Sequence, residues 1–199
     1  ALVKSLKGEE SRLRIQVQKA EAEKARLNNA IRKIIEVELK AERESSAGEF
    51  ALTPEGKIVS DAFESNRATL PWPVIRGVLT GKFGRQPHPS LPGITIENNG
   101  IDISTEAGSS ALSIFAGSVS STFEIPGAGW TIILSHGSFR TVYSNLFAVN
   151  IAKGDQVEAG EKIGTVLTTN GQSTLHFEVW QVQGNNHSPQ NPAKWLVRN

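Results

Sequence analysis

The sequence predicts a mainly β domain of barrel-sandwich-like antiparallel sheets, preceded by a long α-helical coiled-coil segment. Three observations carry this. The first 46 residues contain no Pro and repeat apolar residues every three or four positions. Two prolines, Pro71 and Pro73, then force extended chain. Beyond them, short runs rich in Gly and β-branched residues alternate with turn signals. The boundaries read as 1–47 for the helix, 48–70 for a linker and 71–199 for the β domain.

The helical segment places Leu6, Leu13, Val17, Ala20, Leu27, Ile31, Ile34 and Ala41 on one heptad seam. Glu10, Lys24 and Glu38 fall on the same seam and interrupt it. At about 1.5 Å per residue the helix spans roughly 65–70 Å. A single helix with such a stripe leaves it in water, so the pattern requires a partner helix. It suits a spacer stalk or one arm of an antiparallel hairpin equally. Ser45, Ser46 and Gly48 end the helix.

The linker carries one more helix. Thr53-Pro54-Glu55 places an N-cap residue before a proline at the first helical position. This helix is expected to run to about Arg67, with Ile58, Ala62 and Phe63 on its buried side. Nothing in its pattern decides whether it lies across a functional surface.

The β domain is announced by Gly77–Thr80, Ile101–Ile103, Thr131–Leu134, Thr141–Tyr143 and Leu175–Val179, with turns at Pro126–Gly129, His136-Gly137 and Asn170-Gly171. Phe83, Phe115, Ile132, Val142, Phe177 and Val179 are expected in its core, with Trp72 and Trp195 packing its ends.

Composition narrows the function. There are 21 Lys+Arg against 20 Asp+Glu among 199 residues, a net charge of +1, which speaks against a nucleic-acid partner. The absence of Cys removes disulfides, thiolate metal sites and Cys nucleophiles. No apolar run approaches the roughly 20 residues that span a bilayer. The chain starts without Met or a leader, which reads as a mature segment or a fragment of an exported protein.

Four stretches carry the chemistry. They are Lys82-Phe83-Gly84-Arg85-Gln86-Pro87-His88-Pro89 with Asn98-Asn99-Gly100-Ile101-Asp102; His136-Gly137 with Val142-Tyr143-Ser144-Asn145; Lys153-Gly154-Asp155 through Ile163-Gly164; and Thr174-Leu175-His176-Phe177-Glu178. Over about residues 71–198 their order and spacing resemble the LytM-type, lysostaphin-like zinc peptidases of bacterial cell wall. A coiled coil ahead of such a domain further resembles the EnvC-type murein hydrolase activators of bacterial division.

In an active family member a catalytic zinc takes three protein ligands and a water, whose pKa it lowers. The resemblance places those ligands at Asn98, Asp102 and His176, and the two catalytic histidines at Asn145 and Thr174. This chain therefore keeps Asp102 and His176 but has Asn, Asn and Thr where the family has His. An amide oxygen is a poor substitute for imidazole on zinc, and neither Asn nor Thr exchanges protons near neutral pH. No zinc, and no other cofactor, is expected. His88, His136 and His187 read as framework or loop residues, and Glu178 as a hydrogen-bonding strand residue.

The function this implies is non-catalytic activation of peptidoglycan amidases (N-acetylmuramoyl-L-alanine amidases) in the periplasm, during division and daughter-cell separation. The amidase would meet the relic cleft of Arg85, Asn98, Arg140, Tyr143, Asn145 and His176. The coiled coil would receive a signal from a division-associated membrane complex, with peptidoglycan a further ligand. Two alternatives compete: an active zinc endopeptidase with altered ligands, and a transport adaptor joining a coiled coil to a lipoyl-type barrel, suggested by the Lys153–Gly164 hairpin.

Overall fold

The computed structural model describes residues 2–45, 52–87, 93, 95–184 and 186–198. Helix α1 spans Leu2–Ser45. Ser46, Gly48 and the His88 turn lie outside the described residues. Helix α2 spans Pro54–Ser65, and the Thr53 side chain accepts the Gly56 N–H at 3.1 Å, as the N-cap signal requires.

Thirteen strands follow among the described residues. They are β1 (Val78–Gly81), β2 (Gly84–Pro87), β3 (Thr95–Asn98), β4 (Ile101–Thr105), β5 (Ser110–Leu112), β6 (Gly117–Ile125) and β7 (Gly129–His136). Then come β8 (Phe139–Val149), β9 (Gln156–Val157), β10 (Lys162–Val166), β11 (Thr168–Thr169), β12 (Gln172–Gln183) and β13 (Asn186–Gln190). The main sheet runs β1-β4-β12-β8-β7-β6-β9, every pairing antiparallel. Strand β10 joins β8 to β5, so the sheet folds back on itself around a core. Strands β2 and β3 form a separate hairpin.

Strand alternation sends β8 and β12 to two different places. Phe139 and Tyr143 of β8, with Leu175, Phe177 and Val179 of β12, enter the main core. Val142 of β8 and Trp180 and Val182 of β12 point the other way and are equally buried. What covers that second face is α1. Its Leu27, Ile31, Ile35 and Leu39, each no more than 6% exposed, pack on Ile133, Val142, Trp180 and Val182.

This revises the heptad reading. The buried ridge repeats every four residues and passes through Ile35 and Leu39, which lie off the expected seam. A supercoiled partner helix selects alternating three- and four-residue steps, whereas a flat sheet accepts one straight ridge. The described structure thus supplies a partner for the stripe within the chain itself, and it establishes no coiled coil. Upstream, Leu13 and Ile15 remain 53% and 66% exposed.

Helix α2 docks elsewhere. Phe63, fully buried, stacks on His136 at 4.9 Å and Phe139 at 5.0 Å, and meets Trp195 at 5.1 Å. Trp195 packs this end of the domain as expected, while half-buried Trp72 donates its indole N–H to the Val197 carbonyl. Ile58, expected inside, is 69% exposed, because Ser60 takes the inward position where α2 crosses the Gly137 turn. Among the described residues no helix is long and apolar enough to cross a membrane.

Phe63→Ala would remove the ring at the centre of this aromatic cluster. It should cost about 3–5 kcal/mol of global stability. Urea denaturation followed by tryptophan fluorescence measures it.

Candidate functional site

The site lies where β4, β12 and β8 run side by side. Antiparallel register sets His176 of β12 opposite Asp102 of β4 on one side and Ser144 of β8 on the other. Asn98 closes β3 and reaches the same point from the β3–β4 turn. Two glycines make room. A Cβ on Gly81 would collide with the Asp102 carboxylate, and one on Gly100 with the Phe177 carbonyl.

A continuous polar chain crosses the site. Asp102 Oδ1 meets His176 Nδ1 at 2.7 Å. The opposite ring nitrogen, Nε2, meets Glu178 Oε1 at 2.9 Å, and Trp180 Nε1 donates to Glu178 Oε2 at 2.6 Å. Both imidazole nitrogens thus face carboxylate oxygens, which only accept. Burial works against charge on His176, but the hydrogen bonds to Asp102 and Glu178 overcome it and raise the pKa to about 9. Burial would raise the Asp102 pKa. His176 and Lys24 prevail and hold it well below the usual carboxylate range.

Asn98 is 3% exposed. Its Oδ1 accepts the Gly100 N–H at 3.0 Å, which fixes the amide orientation and turns Nδ2 toward Asp102 Oδ2 at 3.1 Å. Asn98 therefore offers the site a donor. The remaining contact comes from α1, where Lys24 Nζ lies 2.9 Å from Asp102 Oδ2.

These donors do not fit the zinc of the lysostaphin-like enzymes. Two family ligand types are present, the third position presents N–H, and an ammonium neutralises the carboxylate. Among the described residues no three His, Asp or Glu side chains form a metal-holding group.

The expected cleft residues divide. Asn98, Asp102, Asn145 and His176 line one cleft of about 350 Å³ between α1 and the sheet, walled by Lys24 and the Pro126–Ala128 turn. Asn145 adopts φ 64°, a left-handed conformation that Asn tolerates, and its carbonyl accepts the Leu167 N–H. Thr174 shares the His176 face by alternation. Tyr143 does not line the cleft. It is fully buried on the opposite face, its hydroxyl takes the Ile114 N–H, and burial pushes its pKa up to about 12.

Arg140 is also misplaced by the cleft reading. It pairs with Trp180, four residues along from His176, about 13 Å away. There it is 1% exposed, donating to Gly137 O, Phe139 O and both carboxylate oxygens of Glu42 on α1. Arg85 sits on the β2–β3 hairpin beside Asn98 and pairs loosely with Glu97 at 3.5 Å, both exposed. His187 lies 3.6 Å from Glu36 of α1.

Lys24 and Trp180 were not anticipated as site residues. The signal for Lys24 was present as a cation interrupting an apolar seam. No sequence signal marked Trp180.

Residues 97–192 match the model of Peptidase family M23. The β domain is a LytM-like domain. It is similar to the cell division protein DipM of Caulobacter vibrioides, with 28% identity over 124 residues, 60% of this chain and 19% of DipM. Among solved structures it is similar to Helicobacter pylori Csd3, with a TM-score of 0.55 and 27% identity over 66% of this chain and 35% of that one. A zinc-containing peptidase from Vibrio cholerae gives 0.54 and 28% over 66% and 41%. The chain thus spans about a fifth of the length of DipM. The M23 match, residues 97–192, does not include α1, so the cover that α1 contributes lies outside the matched region.

His136 anchors the opposite end of this domain. Its Nδ1–H donates to the Ala116 carbonyl and its Nε2 accepts the Thr141 hydroxyl, both at 2.8 Å. Burial, with the Arg140 charge adding to it, lowers its pKa to about 4. The native chain therefore refuses a proton that the unfolded chain accepts below pH 6.5. This contribution to stability is intact above that pH and falls by up to about 3 kcal/mol as pH drops toward 4. Imidazole NMR shifts should show His136 neutral down to near pH 4, and the urea midpoint should fall over the same interval.

Proposed function

We propose that this chain is a non-catalytic activator of N-acetylmuramoyl-L-alanine amidases, acting on peptidoglycan in the periplasm during cell division. The observation that carries the reading is the state of His176. It is clamped between Asp102 and Glu178, with Asn98 and Lys24 completing the closure. A scaffold that keeps the cleft but fills the metal and base positions with a closed polar chain is suited to binding. The division role of DipM and the M23 match of the domain support the setting.

The partner surface is the cleft together with the apolar sheet face beside it, Ile133, Val142, Trp180 and Val182. In the structure α1 occupies that surface. Activation is then a population shift in which α1 leaves and the amidase binds the uncovered face. The upstream part of α1, with Leu13 and Ile15 exposed, is the segment that would pair with a helix and carry a signal from a membrane complex. Peptidoglycan itself is a secondary ligand of the exposed cleft.

Dye-labelled sacculi test this. The chain alone should release no dye, with or without added zinc or a chelator, and should accelerate release by an amidase from the same organism. Chelator-sensitive release by the chain alone, or no stimulation of any such amidase, overturns the proposal. The double variant Ile31→Asp with Ile35→Asp places two charges where burial costs several kcal/mol each. It should free α1 and raise stimulation at limiting chain concentration while β12 amides stay protected from hydrogen exchange.

A further inference from the structure

Two charged residues interrupt the apolar seam of α1 within the stretch that docks on the sheet, Lys24 and Glu38. The structure treats them differently. Lys24 reaches Asp102 at 2.9 Å. Glu38 reaches nothing. Both its carboxylate oxygens are shielded from solvent and neither has a hydrogen-bond partner.

The surroundings of Glu38 explain this. It is next in sequence to Leu39, which is 1% exposed, and one turn beyond Ile34, which packs against the same buried cluster as Phe123 and Ile125. One turn further, the Glu42 carboxylate is taken by Arg140. The guanidinium Nε atoms of Arg43 and Arg140 are themselves without acceptors, and among the described residues no cation lies within ion-pair distance of Glu38.

A carboxylate removed from water without a partner is among the most costly groups a protein can bury. The penalty exists only while α1 is docked. Once α1 lifts, Glu38 returns to water, where Glu is a good helix former. Its effect on the helix is then neutral, and its effect on docking is adverse.

We propose that Glu38 is the release element of the α1 cover. The apolar ridge and the Lys24–Asp102 and Glu42–Arg140 pairs hold the helix in register, and Glu38 keeps the docked state weak enough to open. This rests on the reading of α1 as a displaceable cover. It does not depend on which partner takes its place.

Backbone hydrogen exchange of residues 24–42 in the whole chain tests the idea without any amidase. Glu38→Leu should slow exchange of this segment by about tenfold or more, and the isosteric Glu38→Gln by a smaller factor. Lys40→Leu, at a side chain 76% exposed on the outer side of the helix, is the control for helix propensity and should leave exchange unchanged. The β12 amides report whether the domain stays folded, and Glu38→Gln serves where the leucine disturbs packing. Unchanged or faster exchange in both Glu38 variants overturns the proposal. So does equal slowing by Lys40→Leu. Because the readout contains no amidase, a failed activation assay would sink the activator reading and leave this measurement to decide the role of Glu38.

Discussion

A sheet with two apolar faces must be covered twice, and this constraint organises the molecule. Strands β8 and β12 bury alternate residues in opposite directions, Phe139, Tyr143, Phe177 and Val179 one way, Val142, Trp180 and Val182 the other. The first set is enclosed when the sheet folds back through β10 and β5. The second set has no such enclosure from the β domain. Burying a large apolar side chain is worth about 1.5–3 kcal/mol, so Ile133, Val142, Trp180 and Val182 on one face strongly favour a cover. The ridge of α1 supplies it, and the placement of the helix over the cleft follows from that need.

The same docking brings charge to the site. With His176 protonated between Asp102 and Glu178, the polar chain carries one excess negative charge. The ammonium of Lys24 balances it from α1. At the other end of the interface, buried Arg140 is balanced by Glu42. The two pairs have opposite polarity, so they favour only one direction of the helix across the sheet. Apolar contact gives the attraction, and the ion pairs give the register.

The chemistry of hydrolysis and the chemistry of binding make opposite demands on these positions. A catalytic metal needs open lone pairs, and a base needs a group that gives and takes a proton near neutral pH. Here Asn98 turns an N–H inward, His176 has both nitrogens engaged, and Asn145 sits in a left-handed turn beside the cleft. Asn98, Asp102 and His176 are thereby engaged with one another and with Glu178 and Lys24.

Much of the architecture was legible from local pattern. The Thr53 cap, the strand alternation around Ile101, Val142 and Phe177, and the Asn-Gly-Ile-Asp and Leu-His-Phe-Glu motifs are short-range features, and local sterics and hydrogen bonding suffice to specify them. The heptad count also marked a long helix ahead of the β domain, because helix periodicity is local, and α1 spans Leu2–Ser45. What covers that helix is a long-range matter. A stripe of Leu and Ile is equally satisfied by another helix or by a sheet, and only the folded chain shows that Ile35 and Leu39 join Leu27 and Ile31 in one buried cluster with Trp180 and Val182. The positions of Tyr143 and Arg140 were lost for a related reason: one residue of strand register decides which face a side chain occupies, and the motif does not state it. The sequence by itself determined which residues were present for chemistry. Tertiary structure decided which of them share a face, because the meeting of Lys24 with Asp102, 78 residues apart, depends on packing that no local pattern encodes.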